Sequence, residues 1–327
     1  MLKKLSGILM TTVLGAGLIL SGCGNSGASQ SAASANEDDP SGQTKVSVIL
    51  KALNSENWKL VQRGAMDAGK EAGVTVEVLG PNAETEVEKQ VSLIEDQITS
   101  GADALVIAPS QPSAVLNVLQ QAGDIPVVFA DTDADYPEKV SFVGTGNLAA
   151  GQEGGEFIAS KLKKGDKVAI IRGALGDKTH DDRTAGAEKA LKEAGIKIET
   201  VQPADSDRSK AMNVMENILQ SNPEIKAVFV TSEEMALGAL RGAEAKNSTV
   251  MVVGFDGNSE GLKSIQSDGL DAEVAQDPYK IGYLSVESAV KALNGQSVEK
   301  RIDTGANVIT KENVDELLTQ VTKYLEE

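Results

Sequence analysis

The chain has 327 residues, 41% of them hydrophobic but only 3% aromatic. That length suits about two domains, with cores built from Val, Ile, Leu and Ala. A formal charge of −17 repels phosphate backbones and argues against a nucleic-acid partner.

Residues 1–22 read as an export leader, with Lys3 and Lys4 followed by an apolar run over 8–20. That run is short of the ~20 residues a membrane-spanning helix needs. Leu20-Ser21-Gly22-Cys23 resembles a bacterial lipobox. The resemblance implies cleavage before Cys23 and attachment of a lipid to its sulfur, which would anchor the protein on the outer face of a cell membrane. An ordinary signal peptide with a stray cysteine is the alternative. Cys23 is the sole cysteine, so no intrachain disulfide can form. Losing Lys3 and Lys4 leaves 29 basic residues against 48 acidic ones, a charge of −19. After Cys23, residues 24–44 are mostly Gly, Ser, Ala, Asn, Gln and acidic residues, so 23–44 reads as a flexible tether reaching about 25 Å.

Strand and helix patterns then alternate. Strands are expected over 45–51, 74–79, 104–108 and 126–130, and helices over 57–72, 84–100 and 112–122. Glycines 73, 101 and 123 stand just past the helix ends. Such alternation predicts an α/β fold with a parallel, doubly wound sheet. The pattern repeats at an offset of about 122 residues. Lys45-Val46-Ser47-Val48-Ile49 matches Lys167-Val168-Ala169-Ile170-Ile171, and Lys70-Glu71-Ala72-Gly73 matches Lys192-Glu193-Ala194-Gly195. Leu105-Val106-Ile107 matches Ala227-Val228-Phe229. Three matches at one spacing predict two similar α/β domains in tandem.

Val250-Met251-Val252-Val253-Gly254-Phe255-Asp256 reads as a buried strand ending in a carboxylate, and Pro126-Val127-Val128-Phe129-Ala130-Asp131 has the same form. Ligands of open α/β sheets sit beyond the carboxyl ends of strands. Asp131 and Asp256 are therefore expected on facing walls of one cleft. A tail follows, with a strand over 271–276, a helix over 278–293, a strand near 298–303 and a helix near 311–318. It is expected to cross back to the first domain and return.

With these elements in place, the chain resembles the ribose/allose-type periplasmic sugar-binding proteins, the solute receptors of ABC importers. The resemblance covers about residues 45–310. It rests on Pro203-Ala204-Asp205-Ser206-Asp207-Arg208, the run Glu234-Met235-Ala236-Leu237-Gly238-Ala239-Leu240-Arg241, Val252-Val253-Gly254-Phe255-Asp256-Gly257 and Ala275-Gln276-Asp277-Pro278. It implies two Rossmann-like lobes joined by three hinge crossovers, residues 45–145 with 277–304 and 146–276 with 305–327. It also implies ligand contacts at Lys51, Asn54, Asn57, Trp58, Asp131, Thr132, Arg183, Ser206, Ser232, Phe255, Asp256 and Gln276. Four positions depart from the ribose type. Asn57 replaces an aromatic, Thr132 an arginine, Ser206 an aromatic and Ser232 an asparagine. The expected pocket is thus more polar and less aromatic than one for ribose itself.

The chemistry of these side chains suits a polyol. An ionised carboxylate accepts from adjacent hydroxyls in charge-assisted bonds, and the Arg183 fork donates to neighbouring oxygens. Buried carboxylates need cationic partners, so Lys51 or Arg183 should face Asp131 and Asp256. Trp58 would cover an apolar sugar face. Plainer uses exist for each: a turn at Asp256-Gly257, a loop cap at Asp131, core packing for Trp58, a solvated helix position for Arg183, and a strand-end surface site for Lys51. His180 is expected in a loop at the cleft rim, without ligand contact.

No nucleophile elbow, phosphate loop or metal-ligand spacing stands out, so no enzyme, cofactor or metal is expected. Gly144-Thr145-Gly146-Asn147-Leu148-Ala149 is a poor dinucleotide fingerprint, since the next strand ends in Arg172 rather than an acid. The expected partners are a sugar or polyol, ABC permease subunits and a membrane through the lipid alone, with a monomeric chain. A sensor module presenting its closed form to a histidine kinase or chemoreceptor shares the same binding step. A related sugar-responsive repressor would require a DNA-binding segment in place of the leader.

Overall fold

The computed structural model describes residues 43–326. The leader (1–22), Cys23 and all but the last two tether residues lie outside the described residues. The first half runs β1 (Lys45–Ile49), α1 (Glu56–Ala72), β2 (Thr75–Leu79), α2 (Val87–Thr99), β3 (Ala104–Ile107), α3 (Pro112–Leu119), β4 (Val127–Ala130) and β5 (Ser141–Gly144). The second runs α4 (Asn147–Lys161), β6 (Lys167–Arg172), α5 (Lys178–Glu193), β7 (Lys197–Pro203), α6 (Arg208–Ser221), β8 (Ile225–Val230), α7 (Glu233–Ala245), β9 (Met251–Asp256), α8 (Ser259–Gln266) and β10 (Ala272–Ala275). The tail adds α9 (Pro278–Leu293), β11 (Arg301–Asp303), β12 (Asn307–Ile309) and α10 (Val314–Glu326).

Two six-stranded sheets result, ordered β11-β5-β4-β3-β1-β2 and β12-β10-β9-β8-β6-β7. The two orders are the same apart from numbering, which is the structural form of the sequence repeat. All pairings are parallel except β10 with β12. The central strands β1, β3, β4, β6, β8 and β9 are apolar runs rich in Val and Ile and almost entirely buried, as parallel sheets flanked by helices require. Val252, Val253 and Phe255 of β9 are buried almost completely, each contributing about 1.5–3 kcal/mol by transfer from water. The fold is α/β, with two Rossmann-like lobes.

The chain passes between lobes three times: from β5 to α4, from β10 to α9, and from β11 to β12. Helix α9 packs its Ile281, Val286 and Ala289 into the core of the first sheet, beside Val46, Val48 and Val106. Helix α10 sets Val314 and Val321 into the core of the second. The tail thus ties both lobes together, and Tyr279 of α9 stacks on Tyr324 of α10 with centroids 3.9 Å apart.

Some elements differ from the sequence expectation. β5, β12 and α4 were not anticipated. The two strands are too short to display a period, and Gly151, Gly154 and Gly155 interrupt the apolar stripe of α4. The last helix begins at Val314 and extends to Glu326, later and longer than 311–318. Helix α2 begins at Val87, which leaves Glu84 in the preceding turn.

Candidate functional site: a charged cleft between the lobes

The cleft lies at the carboxyl ends of both sheets. Asp131 follows β4 and Asp256 ends β9, and both hold positive φ, 60° and 106°. Asp205 and Ser206, after β7, do so as well (55° and 53°). Non-glycine residues in this region carry a cost of order 1–3 kcal/mol each and tend to gather at binding sites. Here four of them stand at strand ends that face the other lobe.

Lys51, two residues past the end of β1, is fully buried. Its Nζ lies 2.7 Å from Asp177 Oδ2 of the other lobe and 3.3 Å from Asp131 Oδ2. Burial alone would depress its pKa, but Asp177, Asp131 and Glu84 more than offset this and hold it above the usual lysine value. Thr132 donates to Asp131 (2.8 Å), and its Oγ1 shares a short hydrogen bond with Thr179 Oγ1 across the cleft.

Asp256 forms a second cluster. Its Oδ1 accepts from Arg183 Nη1 (3.3 Å) and Gln276 Nε2 (2.8 Å), and its Oδ2 from the Glu233 amide (3.1 Å). Burial pushes its pKa up, and the Arg183 charge pulls against that. The Arg183 guanidinium lies 3.7 Å from the Phe255 ring centroid and donates to Asn147 and to the Thr231 carbonyl. The backbone of α5 is held close to α4 here, because a Cβ on Gly151 would stand 2.2 Å from the Arg183 carbonyl oxygen. Gln276, at the β10–α9 crossover, is in turn held by Thr145 at the β5–α4 crossover (3.0 Å). Two crossovers therefore meet at the Asp256 carboxylate.

The expected site residues sort into three groups. Asn54, Asn57 and Trp58 from the first lobe line a cavity of about 70 Å³ together with Ser206, Ser232 and Asp256 from the second. Asp131 and Thr132 line a neighbouring cavity of about 140 Å³. Lys51, Arg183, Phe255 and Gln276 line neither: Lys51 pairs with Asp131 and Asp177, Arg183 and Gln276 hold Asp256, and Phe255 faces the Arg183 guanidinium. Trp58 lines the smaller cavity and also packs into the first lobe's core, while its indole N–H donates to Glu84 Oε1 (3.0 Å). A cavity of about 420 Å³ lies at the crossovers, lined by Gln276, Thr304, Asn307 and Tyr324 among others, and holds none of the ion pairs just described.

One expectation is corrected. His180 is not in a rim loop: it lies in the first turn of α5, buried, with Nδ1 2.8 Å from Thr231 Oγ1 and Nε2 3.1 Å from Ser206 Oγ. The polar run 177–182 is the capped start of a helix, with Asp177 accepting the Thr179 amide (2.9 Å). Sequence reasoning missed Asp177 and Glu84. Asp177 was legible as a helix N-cap, and Glu84 as part of the loop at the carboxyl end of β2. Glu84, though burial would raise it, is drawn down to a pKa of about 2 by His180 and Lys51.

Glu84, Asp177 and His180 bring donor atoms within 4.8 Å of one another, a set a metal could use. The corner already holds a cation in the Lys51 ammonium, and both His180 nitrogens have hydroxyl partners.

Fold and cleft together define a two-lobed α/β binding protein with its polar site between the lobes. The profile of the periplasmic binding protein domain matches residues 46–297, and the chain belongs to that family. It is 35% identical to the ribose import binding protein of Bacillus subtilis over 268 residues, 81% of this chain and 87% of the relative. It is 33% identical to the D-allose-binding periplasmic protein of Escherichia coli, over 75% of this chain and 83% of the relative. Among solved structures, an ABC transporter solute-binding protein from Agrobacterium vitis with bound D-fucose superposes with a TM-score of 0.81 at 31% identity, covering 85% of this chain and 99% of that one. A carbohydrate transporter solute-binding protein from Agrobacterium radiobacter with D-arabinose gives 0.80 at 29%, covering 86% and 99%. These relatives are binding proteins of transport systems, not enzymes.

Proposed function

We propose that this chain is the extracytoplasmic substrate-binding lipoprotein of an ABC importer. It captures a monosaccharide or sugar-like polyol between its lobes and delivers it to the permease. The observation that carries this reading is the pair of lobe-facing carboxylates, Asp131 and Asp256, each on a strained strand end and each backed by a buried cation. Such pre-set acceptors suit vicinal hydroxyls, and they cost no reorganisation when the ligand arrives. Contacts to both lobes give the ligand a larger affinity for the closed arrangement, and that difference drives hinge closure. The lobes, 45–145 with 277–304 and 146–276 with 305–327, would move as bodies about the three crossovers. Lys51, Arg183, Phe255 and Gln276 act by positioning the carboxylates, and Asn54, Asn57, Trp58, Thr132, Ser206 and Ser232 by touching the ligand.

Trp58 is the sole tryptophan and lines the cavity, so its fluorescence reports occupancy. Titration with pentoses, hexoses and polyols should change that fluorescence and raise the melting temperature for at least one compound. Silence across the whole set, by both readouts, removes the sugar role. Anchoring is tested separately: Cys23→Ser should release the protein from the membrane fraction and abolish labelling by a fatty acid, and unchanged labelling would overturn it.

A further inference from the structure

The lining of the 70 Å³ cavity has an imbalance that a neutral sugar does not explain. It includes five carboxylates, Glu84, Asp205, Asp207, Glu234 and Asp256, and among the described residues it includes no Lys, Arg or His. Three of the five have a cation elsewhere: Asp205 with Lys210, Glu234 with Arg208, Asp256 with Arg183. Asp207 is spent capping α6 through the Lys210 amide. Glu84 accepts the neutral Trp58 N–H (3.0 Å), has His180 Nε2 farther off at 3.8 Å and the Ser206 hydroxyl beside it, and has no ammonium or guanidinium at ion-pair distance. Lys51, the nearest ammonium, directs its Nζ to Asp177 and Asp131. Counting the buried corner, Glu84, Asp131, Asp177 and Asp256 face two permanent cations, Lys51 and Arg183.

Two further atoms point the same way. Asn57 Oδ1 and Ser232 Oγ are buried without a hydrogen-bond partner, one from each lobe, each residue 8% exposed, and both residues line this cavity. An amide oxygen can only accept. A buried acceptor without a donor is costly, so the cavity favours an occupant that donates at Asn57. Beside it stands the Trp58 ring, whose face attracts cations.

Resting on the sugar-capture reading above, we infer that the ligand is a cationic polyol, a hydroxylated ring bearing a protonated amine held at Glu84, Asn57 and Trp58. An ammonium supplies three donors, enough for the Glu84 carboxylate, the Asn57 amide oxygen and one hydroxyl. The remaining ring hydroxyls fall to Asp256 and Ser232.

The test is calorimetric titration of the folded protein with 2-amino, 3-amino and 6-amino deoxyhexoses, each beside its neutral parent. At least one amine should bind about tenfold tighter than its parent or more. Glu84→Gln, which can still accept the Trp58 N–H, should erase most of that preference. Asn57→Asp should steepen it, and this opposite sign separates the inference from simple damage to the fold. Parents that bind as tightly as the amines overturn the cationic ligand and leave sugar capture standing. An amine preference untouched in Glu84→Gln overturns the assignment of Glu84. If neither amines nor neutral sugars bind, the sugar-capture reading falls first and this inference with it.

Discussion

Removal of the Lys51 ammonium should show how strongly the cleft depends on one buried charge. Lys51→Met keeps the length and apolar stem of the side chain but leaves Asp131 and Asp177 without their cation, at 3.3 and 2.7 Å. Breaking a buried pair from one side costs about 3–5 kcal/mol, because the stranded charge remains desolvated. Near its midpoint a folded unit of this size (42–327) loses roughly 0.6 kcal/mol per degree. The expected loss is therefore about 5–8 °C in melting temperature. The double variant Lys51→Met with Asp177→Asn removes the stranded interlobe charge. It should recover about half the loss, a coupling of order 2 kcal/mol between residues on different lobes. Scanning calorimetry on the wild type, both single variants and the double variant completes the cycle. A Lys51→Met loss of under about 1 kcal/mol, or strict additivity in the double variant, would refute the reasoning: the ammonium would then be hydrated and the Asp177 contact incidental.

The other predictions concern the second cluster. Asp256→Asn preserves shape and tolerates positive φ, yet it should lower ligand affinity about tenfold or more by replacing an ionised acceptor with a neutral one; unchanged affinity by calorimetry would place Asp256 outside the site. Gln276→Leu should leave Asp256 Oδ1 with Arg183 alone and weaken binding with a smaller effect on melting, whereas equal binding would separate the hinge from the carboxylate. Gly151→Val should disrupt the α4–α5 contact at Arg183, at about 1–3 kcal/mol or more, seen as a lower denaturant midpoint. Glu233 is buried, and desolvation with the Asp256 charge raises its pKa from 4.5 to about 8. The native state therefore holds a proton that the unfolded chain has lost, so stability should fall as pH rises from about 4.5 to about 8 and then level off. Buried Glu273, beside Glu233, is raised in the same direction by desolvation and the Glu233 charge, so the slope belongs to the pair: Glu233→Gln with Glu273→Gln should flatten it in denaturant titrations, and an unchanged slope would acquit both.

Much of the architecture was legible because parallel strands buried on both faces spell themselves as β-branched runs. The 122-residue repeat announced two equivalent lobes, and the two sheets do share one strand order. What stayed hidden is what depends on contacts across the repeat. The short strands β5 and β12 have no period of their own; β5 is held between β4 and β11, and β12 is an edge completed by β10. The positive φ at Asp131, Ser206 and Asp256 has no signature in residue type, since glycine is the usual mark of such positions. Asp177 and Glu84 belong to loops 93 residues apart in sequence, and only the folded chain brings both within the field of Lys51.

The carried-over pocket positions also did not distinguish a contact from a support. The resemblance puts Lys51, Arg183, Phe255 and Gln276 in one group with Asn57 and Ser232, and in the structure those four line neither of the two cleft cavities. That layering has a physical reason. A carboxylate offered to hydroxyls must stay ionised while buried, and a cation placed in the ligand's own space would compete for it. A cation behind the carboxylate holds the charge and leaves the front oxygen face free. Arg183 beside Asp256 follows that plan within the second lobe, whereas Lys51 spans Asp131 and Asp177 across the cleft. Glu84 shares the field of Lys51 but has no ammonium or guanidinium of its own at hydrogen-bond distance, which is why the amine of the inferred ligand is assigned to it.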